Sequence, residues 1–370
     1  MTGLARYGRA AAKAAWNGVR SSAWPAYSHL VLVGDGAPWS ITWDLHWLAQ
    51  IASRLGIRAA ETGHPFGVRR QAVFYGTPYF LTDFIPLLGS NRIGFAYFHG
   101  RPCPEEPIFG RLYELLRRRH ARIDRVQVSH RAMRELVLES GIAPEKVFLI
   151  PIGINLPYFP PQTPQARRWA RKRFGLPESA VVIGSFQKDG VGWGEGMQPK
   201  RIKGPDVFVE VVGRLKARIP ELFVLLSGPS RGYVKAELAR RGVPFRHVYA
   251  EYPEIGALYH ALDLYLVTSR EEGGPKAVLE SMAARVPLVT TRVGQAADLV
   301  RHGENGWMVD VDDVEGLAHW AQDVLAHRDS TAIRHVLDQA RQTAQAHAYE
   351  RQLDQWRALL DGFVQMPGPS

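Results

Sequence analysis

Two glutamates, Glu272 and Glu280, stand eight positions apart around the run Thr268-Ser269-Arg270-Glu271-Glu272-Gly273-Gly274-Pro275-Lys276-Ala277. The first precedes, and the second lies within, a stretch whose apolar residues recur at helical spacing, so Glu280 sits roughly 8 Å up a helix axis. Carboxylates placed in this way grip different parts of an elongated ligand. Between them Pro275 fits the first helical position, where its missing N–H is not needed. The N–H groups of such a helix start suit an anion such as a phosphate, and Gly273 and Gly274 let the backbone approach it closely.

The elements that must position these groups follow from the pattern around them. Leu264-Tyr265-Leu266-Val267 reads as a buried parallel strand leading into the glycine turn. Earlier, His29–Val33 reads as a strand, Gly34-Asp35-Gly36-Ala37-Pro38 as a loop, and Trp43–Leu55 as a helix. A dinucleotide fingerprint would need glycine at Trp39, which argues against a dehydrogenase. Further strands are expected at Ala72–Tyr75, Ile93–Phe98, Arg125–Val128, Val147–Pro151, Val181–Phe186, Leu222–Leu226 and Arg246–Tyr249, with helices between them. Alternation of this kind implies parallel sheets covered on both faces, with ligands beyond the carboxyl ends of the strands. His99 follows one such strand end and is a site candidate. Pro157, Pro160, Pro161 and Pro164 crowd one polar stretch and predict a domain boundary. A last helix, Tyr349–Phe363, carries Leu353, Trp356, Leu359 and Leu360 at a spacing that buries one face.

Composition narrows the class. With 370 residues, 46% hydrophobic and 22% charged, the chain is globular and too long for one ordinary core. A lone Cys103 rules out an internal disulfide framework and fits a reducing compartment, and no zinc spacing is present. No apolar run approaches the roughly 20 residues of a membrane span, and no signal-peptide core is seen, so a cytoplasmic protein is expected. The formal net charge of +10 implies an anionic partner: nucleic acid, an acidic membrane leaflet or phosphorylated substrates. Arg6, Arg9, Lys13 and Arg20 lie on an expected basic helix near the start, read either as a loosely docked terminus or as a membrane-surface segment. Arg117, Arg118 and Arg119 end another helix, whose basic face is either solvated or applied to anionic lipid at the inner membrane face.

The stretch around Glu272 and Glu280 resembles the E-x7-E signature of the retaining nucleotide-sugar glycosyltransferases of family 4. These are α/β proteins of the GT-B fold, with two Rossmann-like domains facing a central cleft. The resemblance runs over residues 29–363 and implies an acceptor-side domain, 1–156, completed by a C-terminal helix, 349–366, and a donor-binding domain, 157–348. It implies that Glu272 contacts sugar hydroxyls, that Glu280 holds a ribose, and that the backbone of Gly273, Gly274, Lys276 and Ala277 faces the diphosphate and sugar. His99 then contacts the transferred sugar, the loop with Gly36 touches the donor or acceptor, and Tyr249 lies by the base. Lys188 and Lys203 supply positive charge to the leaving diphosphate with no metal or other cofactor, the nucleotide diphosphate sugar being a co-substrate.

Three departures stand out. The family usually reads Glu-Gly-Phe-Gly where this chain has Glu272-Gly273-Gly274-Pro275, and Pro-Asn-Gly-Val-Asp where it has Pro151-Ile152-Gly153-Ile154-Asn155. It also has an arginine and a lysine only a few residues apart, whereas here Lys188 is followed by the insertion 189–199, which leaves Lys200 and Arg201 as substitutes for Lys188. The expectation is a retaining glycosyltransferase acting on an acceptor hydroxyl in glycan, cell-envelope or glycolipid synthesis, a lipid-linked acceptor included. A GT-B epimerase or phosphorylase, or a non-catalytic nucleotide-sugar-binding relative, remains open. Nucleic acid is not the expected partner, because no recognition motif with interleaved aromatics is visible.

Overall fold

The computed structural model describes residues 14–34, 40–63, 65–82 and 89–366; Gly36, and Arg6, Arg9 and Lys13 of the expected basic helix, lie outside them. The chain divides into two compact units, Met1–Ile152 with Tyr349–Ser370, and Gly153–Ala348. Among the described residues no helix is long and apolar enough to cross a membrane.

In the first unit β1 (His29–Val33), β2 (Arg58–Thr62), β3 (Ala72–Tyr75), β4 (Arg92–Ala96), β5 (Arg125–Val128) and β6 (Val147–Leu149) form one sheet in the order β2-β1-β3-β4-β5-β6. Every pairing is parallel, which requires crossovers, supplied by helices such as Ser40–Arg54, Pro107–Arg119 and Arg131–Glu139. The sequence reading misses β2 because this edge strand carries exposed Arg58 and Glu61 and lacks a hydrophobic run. Residues 14–22 form a helix that docks on the 66–67 backbone: Asn17 Nδ2 donates to the Phe66 carbonyl and Ser21 Oγ to that of Gly67, each at 3.2 Å.

One expectation for this unit needs correction. The C-terminal segment is not one helix over Tyr349–Phe363 but a 3-10 turn, Tyr349–Arg351, and a helix, Leu353–Leu360. The break falls at buried Gln352, whose amide donates to the Pro151 carbonyl at 2.8 Å. Gly362 then takes a φ of +66° and turns Phe363 onto Gly94, where a Cβ would come within 2.9 Å of the Phe363 ring. Trp356, Leu359, Leu360 and Phe363 thereby join Leu30, Leu32 and Phe74 in one core. The arginine patch is divided by the helix geometry. Successive helical residues point about 100° apart, so Arg117 and Arg118 pair with Glu114 on the exposed side while Arg119 turns back onto the Leu81 carbonyl. The apolar stripe of that helix, Phe109, Leu112 and Leu116, is already spent on the core.

In the second unit β7 (Val181–Phe186), β8 (Leu222–Ser227), β9 (Phe245–His247), β10 (Leu264–Val267), β11 (Leu288–Thr291) and β12 (Trp307–Val309) lie in the order β12-β11-β10-β7-β8-β9. All are parallel. Successive strands grow outward to one side from β7 and to the other from β10, so the sheet reverses direction between these two, and loops leaving their carboxyl ends diverge around a crevice. The proline-rich stretch lies at the start of this unit. Pro164 opens the helix Pro164–Phe174, Thr163 caps it by accepting from the Ala166 N–H at 3.1 Å, and Phe159 is buried in the core.

A buried ion pair ties the start of β7 to the start of β10. Asp263 Oδ2 accepts from Arg171 Nη2 at 2.7 Å and from the Val182 N–H at 2.8 Å, while Oδ1 accepts from Arg167 at 2.7 Å. Arg171 also donates to the carbonyls of Glu178, Ala180 and Ala261 at 2.6, 2.7 and 3.2 Å. Removing one partner of such a pair leaves a buried charge uncompensated. Asp263→Ala is therefore expected to lower unfolding stability by about 3–5 kcal/mol, measured by urea denaturation; a loss below about 1 kcal/mol would show that water reaches Arg171.

Candidate functional site

The loops leaving β7 and β10 meet beside the reversal point. After β7 the chain passes Gln187 and Lys188, makes the hairpin 190–199, and returns through a 3-10 turn, Arg201–Lys203, to the helix Pro205–Lys216. After β10 it runs through Thr268–Pro275 into the helix Lys276–Ala284. Backbone contacts lock the two together. The N–H groups of Arg270 and Glu271 both donate to the Ile202 carbonyl at 2.7 and 3.1 Å, and Thr268 Oγ1 donates to the Gly204 carbonyl at 2.9 Å. Gly204 has a φ of +61°, and a side chain there would collide with the Thr268 carbonyl.

This junction sets Lys203 Nζ 2.6 Å from Glu272 Oε1, which also accepts from Ser269 Oγ at 3.0 Å. Glu272 is buried and Lys203 only partly exposed. The loop after β11 closes from behind: Thr291 Oγ1 donates to the Ser269 carbonyl at 2.7 Å, Gln295 N–H donates to that of Gly273 at 3.2 Å, and a Cβ on Gly294 would stand 2.5 Å from the Glu272 carbonyl. On the outer side Arg270 donates to both oxygens of Asp206 at 2.8 and 2.9 Å and to Asp312 at 2.7 Å. Burial raises the Asp206 carboxyl, but the Arg270 hydrogen bonds and charge outweigh it and hold the group below its ordinary range.

The helix begins one residue later than expected. Pro275 has a ψ of 109°, outside the helical range, and precedes the first helical residue, Lys276. Lys276 Nζ lies 5.4 Å from the Tyr252 ring centre, and Ala277 packs against the core. Glu280, one turn further on, is buried and accepts from the Tyr259 hydroxyl at 2.8 Å.

Each of the remaining expected residues sits in the surroundings of its own unit. Lys188 Nζ donates to the Gly190 carbonyl at 3.0 Å and lies 5.0 Å from the exposed Trp193 ring, so the hairpin holds it. Arg201 pairs with Asp206 at 2.7 Å, and Lys200 pairs its backbone N–H with the Asp189 carbonyl at 2.8 Å. Tyr249 is 59% exposed. His99, half-buried beyond β4 in the first unit, meets the Phe109 ring edge-on at 5.4 Å. Sequence reasoning missed Ser269, Tyr259, Gly204 and Gln295. A small residue before the carboxylate and a glycine directly after Lys203 were the available signals for two of these.

Residues 191–327 match the family model described as Glycosyl transferases group 1. A D-inositol 3-phosphate glycosyltransferase of Thermobispora bispora is 32% identical over 226 residues, 55% of this chain and 49% of that protein. The lipopolysaccharide core biosynthesis mannosyltransferase LpsB of Rhizobium meliloti is 28% identical over 222 residues, 57% of this chain and 60% of that protein. The chain thus spans about half the length of the curated relatives it matches. Among solved structures, Anabaena Alr3699/HepE in complex with UDP-glucose superimposes with a TM-score of 0.71 at 16% identity, covering 90% of this chain and 99% of that one. Sucrose-phosphate synthase from Thermosynechococcus elongatus gives a TM-score of 0.67 at 16% identity, over 90% and 98%. The fold of this chain is accordingly of the GT-B type, and its residues 191–327 match the glycosyl transferases group 1.

Proposed function

We propose that this protein is a retaining glycosyltransferase that moves a sugar from a nucleotide diphosphate sugar to an acceptor hydroxyl without a metal ion. The observation that carries the reading is the Lys203–Glu272 pair, 2.6 Å apart, at the carboxyl ends of β7 and β10 and just before a helix N-terminus. Support comes from the matched family stretch and from HepE, a neighbour of like fold crystallised with UDP-glucose and with UDP.

In this reading the arriving donor splits the pair. The Lys203 ammonium turns to the phosphate oxygens, Glu272 accepts from the sugar hydroxyls, and Glu280 accepts from the ribose. As the bond from the sugar anomeric carbon to the phosphate oxygen breaks, its electron pair stays with the diphosphate, whose growing charge Lys203 and the N–H groups of the helix start stabilise. The acceptor oxygen bonds to the same carbon on the same face, and its proton passes to the departing phosphate. Lys188 serves as a second cation on leaving the Gly190 carbonyl, its partner in the hairpin.

Two measurements test this. Without added metal, UDP, GDP or ADP at 100 times its dissociation constant is expected to stabilise the wild type by about 2.7 kcal/mol, a rise of about 3–7 °C, with the shift lost in Glu280→Ala; no shift with any of them removes the reading. With donor and acceptor in hand, Lys203→Met is expected to lower kcat by about 10²–10³-fold, the range seen when one transition-state donor is removed, and the product anomer read by NMR is expected to match the donor. Release of sugar 1-phosphate in phosphate buffer, or interconversion of donors without an acceptor, would assign a phosphorylase or an epimerase instead.

A further inference from the structure

The carboxylate of Glu280 does not stand alone. Tyr259, the last residue of the short helix Ile255–Tyr259, is completely buried and donates its hydroxyl to Glu280 Oε2 at 2.8 Å. Its ring stacks on that of Tyr265 from β10, with centroids 5.3 Å apart. The Tyr265 hydroxyl in turn accepts from the N–H of Phe186, the last residue of β7, at 2.7 Å. Phe186 sets its ring edge-on against both phenols, at 5.1 and 5.3 Å.

Aromatic residues of β7 and β10 therefore pack on Tyr259, whose hydroxyl meets the carboxylate. Phenylalanine would fill the same volume at 259, and a buried hydroxyl needs a partner to repay its desolvation, so the hydroxyl is explained by the carboxylate it serves. Burial, with the Glu280 charge beside it, keeps the Tyr259 hydroxyl protonated well above its ordinary range. A glutamate held in this way loses its side-chain freedom before any ligand arrives, which is the usual route from a present carboxylate to a selective one.

We infer that Tyr259 is a positioning residue that presets the Glu280 carboxylate for the ribose hydroxyls of the donor nucleotide, with Tyr265 buttressing it; this rests on the transferase reading above. The test is calorimetric binding of UDP, GDP and ADP, each against its 2′,3′-dideoxy counterpart, to wild type, Tyr259→Phe, Glu280→Gln and the double variant. The wild type is expected to prefer a ribose form, and Tyr259→Phe to cut that preference by about tenfold, the scale of one hydrogen bond to a charged group. Dideoxy binding should hold steady, and the double variant should discriminate no worse than Glu280→Gln alone, because the two residues act as one unit. Equal losses for ribose and dideoxy forms, or an unchanged preference, would make Tyr259 a packing residue only. Should Tyr259→Phe fail to fold, Tyr265→Phe carries the same comparison, and an unchanged preference there overturns the inference as well. A wild type that binds none of the three nucleotides removes the transferase reading and this inference with it; binding without ribose preference removes this inference alone.

Discussion

Everything at the candidate site is there because the strands of the second unit run parallel. Parallel pairing forbids a tight hairpin between neighbours, so each strand must be followed by a loop and a returning helix, and all the carboxyl ends fall on one edge. Between β7 and β10 the winding reverses and two of these loops emerge side by side. Neither loop could hold its shape alone. The 3-10 turn before Gly204 donates no side-chain cap, and the Thr268–Pro275 run has no regular structure, yet each supplies the hydrogen-bond partners the other lacks, through Ile202, Gly204 and Thr268. Lys203 and Glu272 come into contact as a result of that mutual satisfaction.

A half-buried pair of this sort is a poor device for stability. Both charges lose hydration, and the attraction gained returns only part of it. In the proposed reading it stores two charged groups in registered positions until a donor carrying both anionic oxygens and hydroxyls exchanges with them. The surroundings agree with that use. Ser269 fixes one oxygen of Glu272, and Gly294 allows the loop after β11 to press directly against the Glu272 backbone. The Arg270–Asp206–Asp312 cluster holds the outer side without drawing on either member of the pair. Asp263 with Arg171 performs the structural task at the opposite, amino end of the same two strands.

Much of the scaffold was readable from pattern. β1, β3, β7 and β10 fall where mostly apolar runs place them, as expected of strands buried on both faces. β2, β11 and β12 were not: β2 is a partly exposed edge strand, and Trp307–Val309 is only three residues long. In the site the spacing of Glu272 and Glu280 was visible, and so was the lysine before Gly204, but their partners were not. Tyr259 lies 21 positions before Glu280 and on a different element, and no local periodicity encodes a contact made by folding. Proline misled twice. At Pro164 it starts a helix, and at Pro275 it ends the loop that precedes one, because a fixed φ suits both roles and only ψ separates them.

The segment 189–199, an insertion by the resemblance, is rooted so that it does not displace Lys203. The Lys200 N–H donates to the Asp189 carbonyl at 2.8 Å, and Gly190 bridges Pro199, so the two ends of the added segment are pinned side by side. The Asp189 side chain is buried against Arg231, with Nε 2.9 Å from Oδ1. Burial drives that carboxyl up from its ordinary range, and the arginine only partly offsets it. Arg231 donates further to the carbonyls of Ser185 and Ser227, both at 2.6 Å, which anchors the root of the hairpin to the ends of β7 and β8. Gly190 and Gly196 then pack on the Ser230 backbone so closely that neither could carry a side chain. Because the closure entropy of a pinned loop grows only slowly with its length, residues can be added beyond such a root while the chain re-enters the 3-10 turn on the same path. What the added length changes is Lys188, which the hairpin draws to the Gly190 carbonyl and the Trp193 ring, leaving Lys203 as the cation in contact with Glu272.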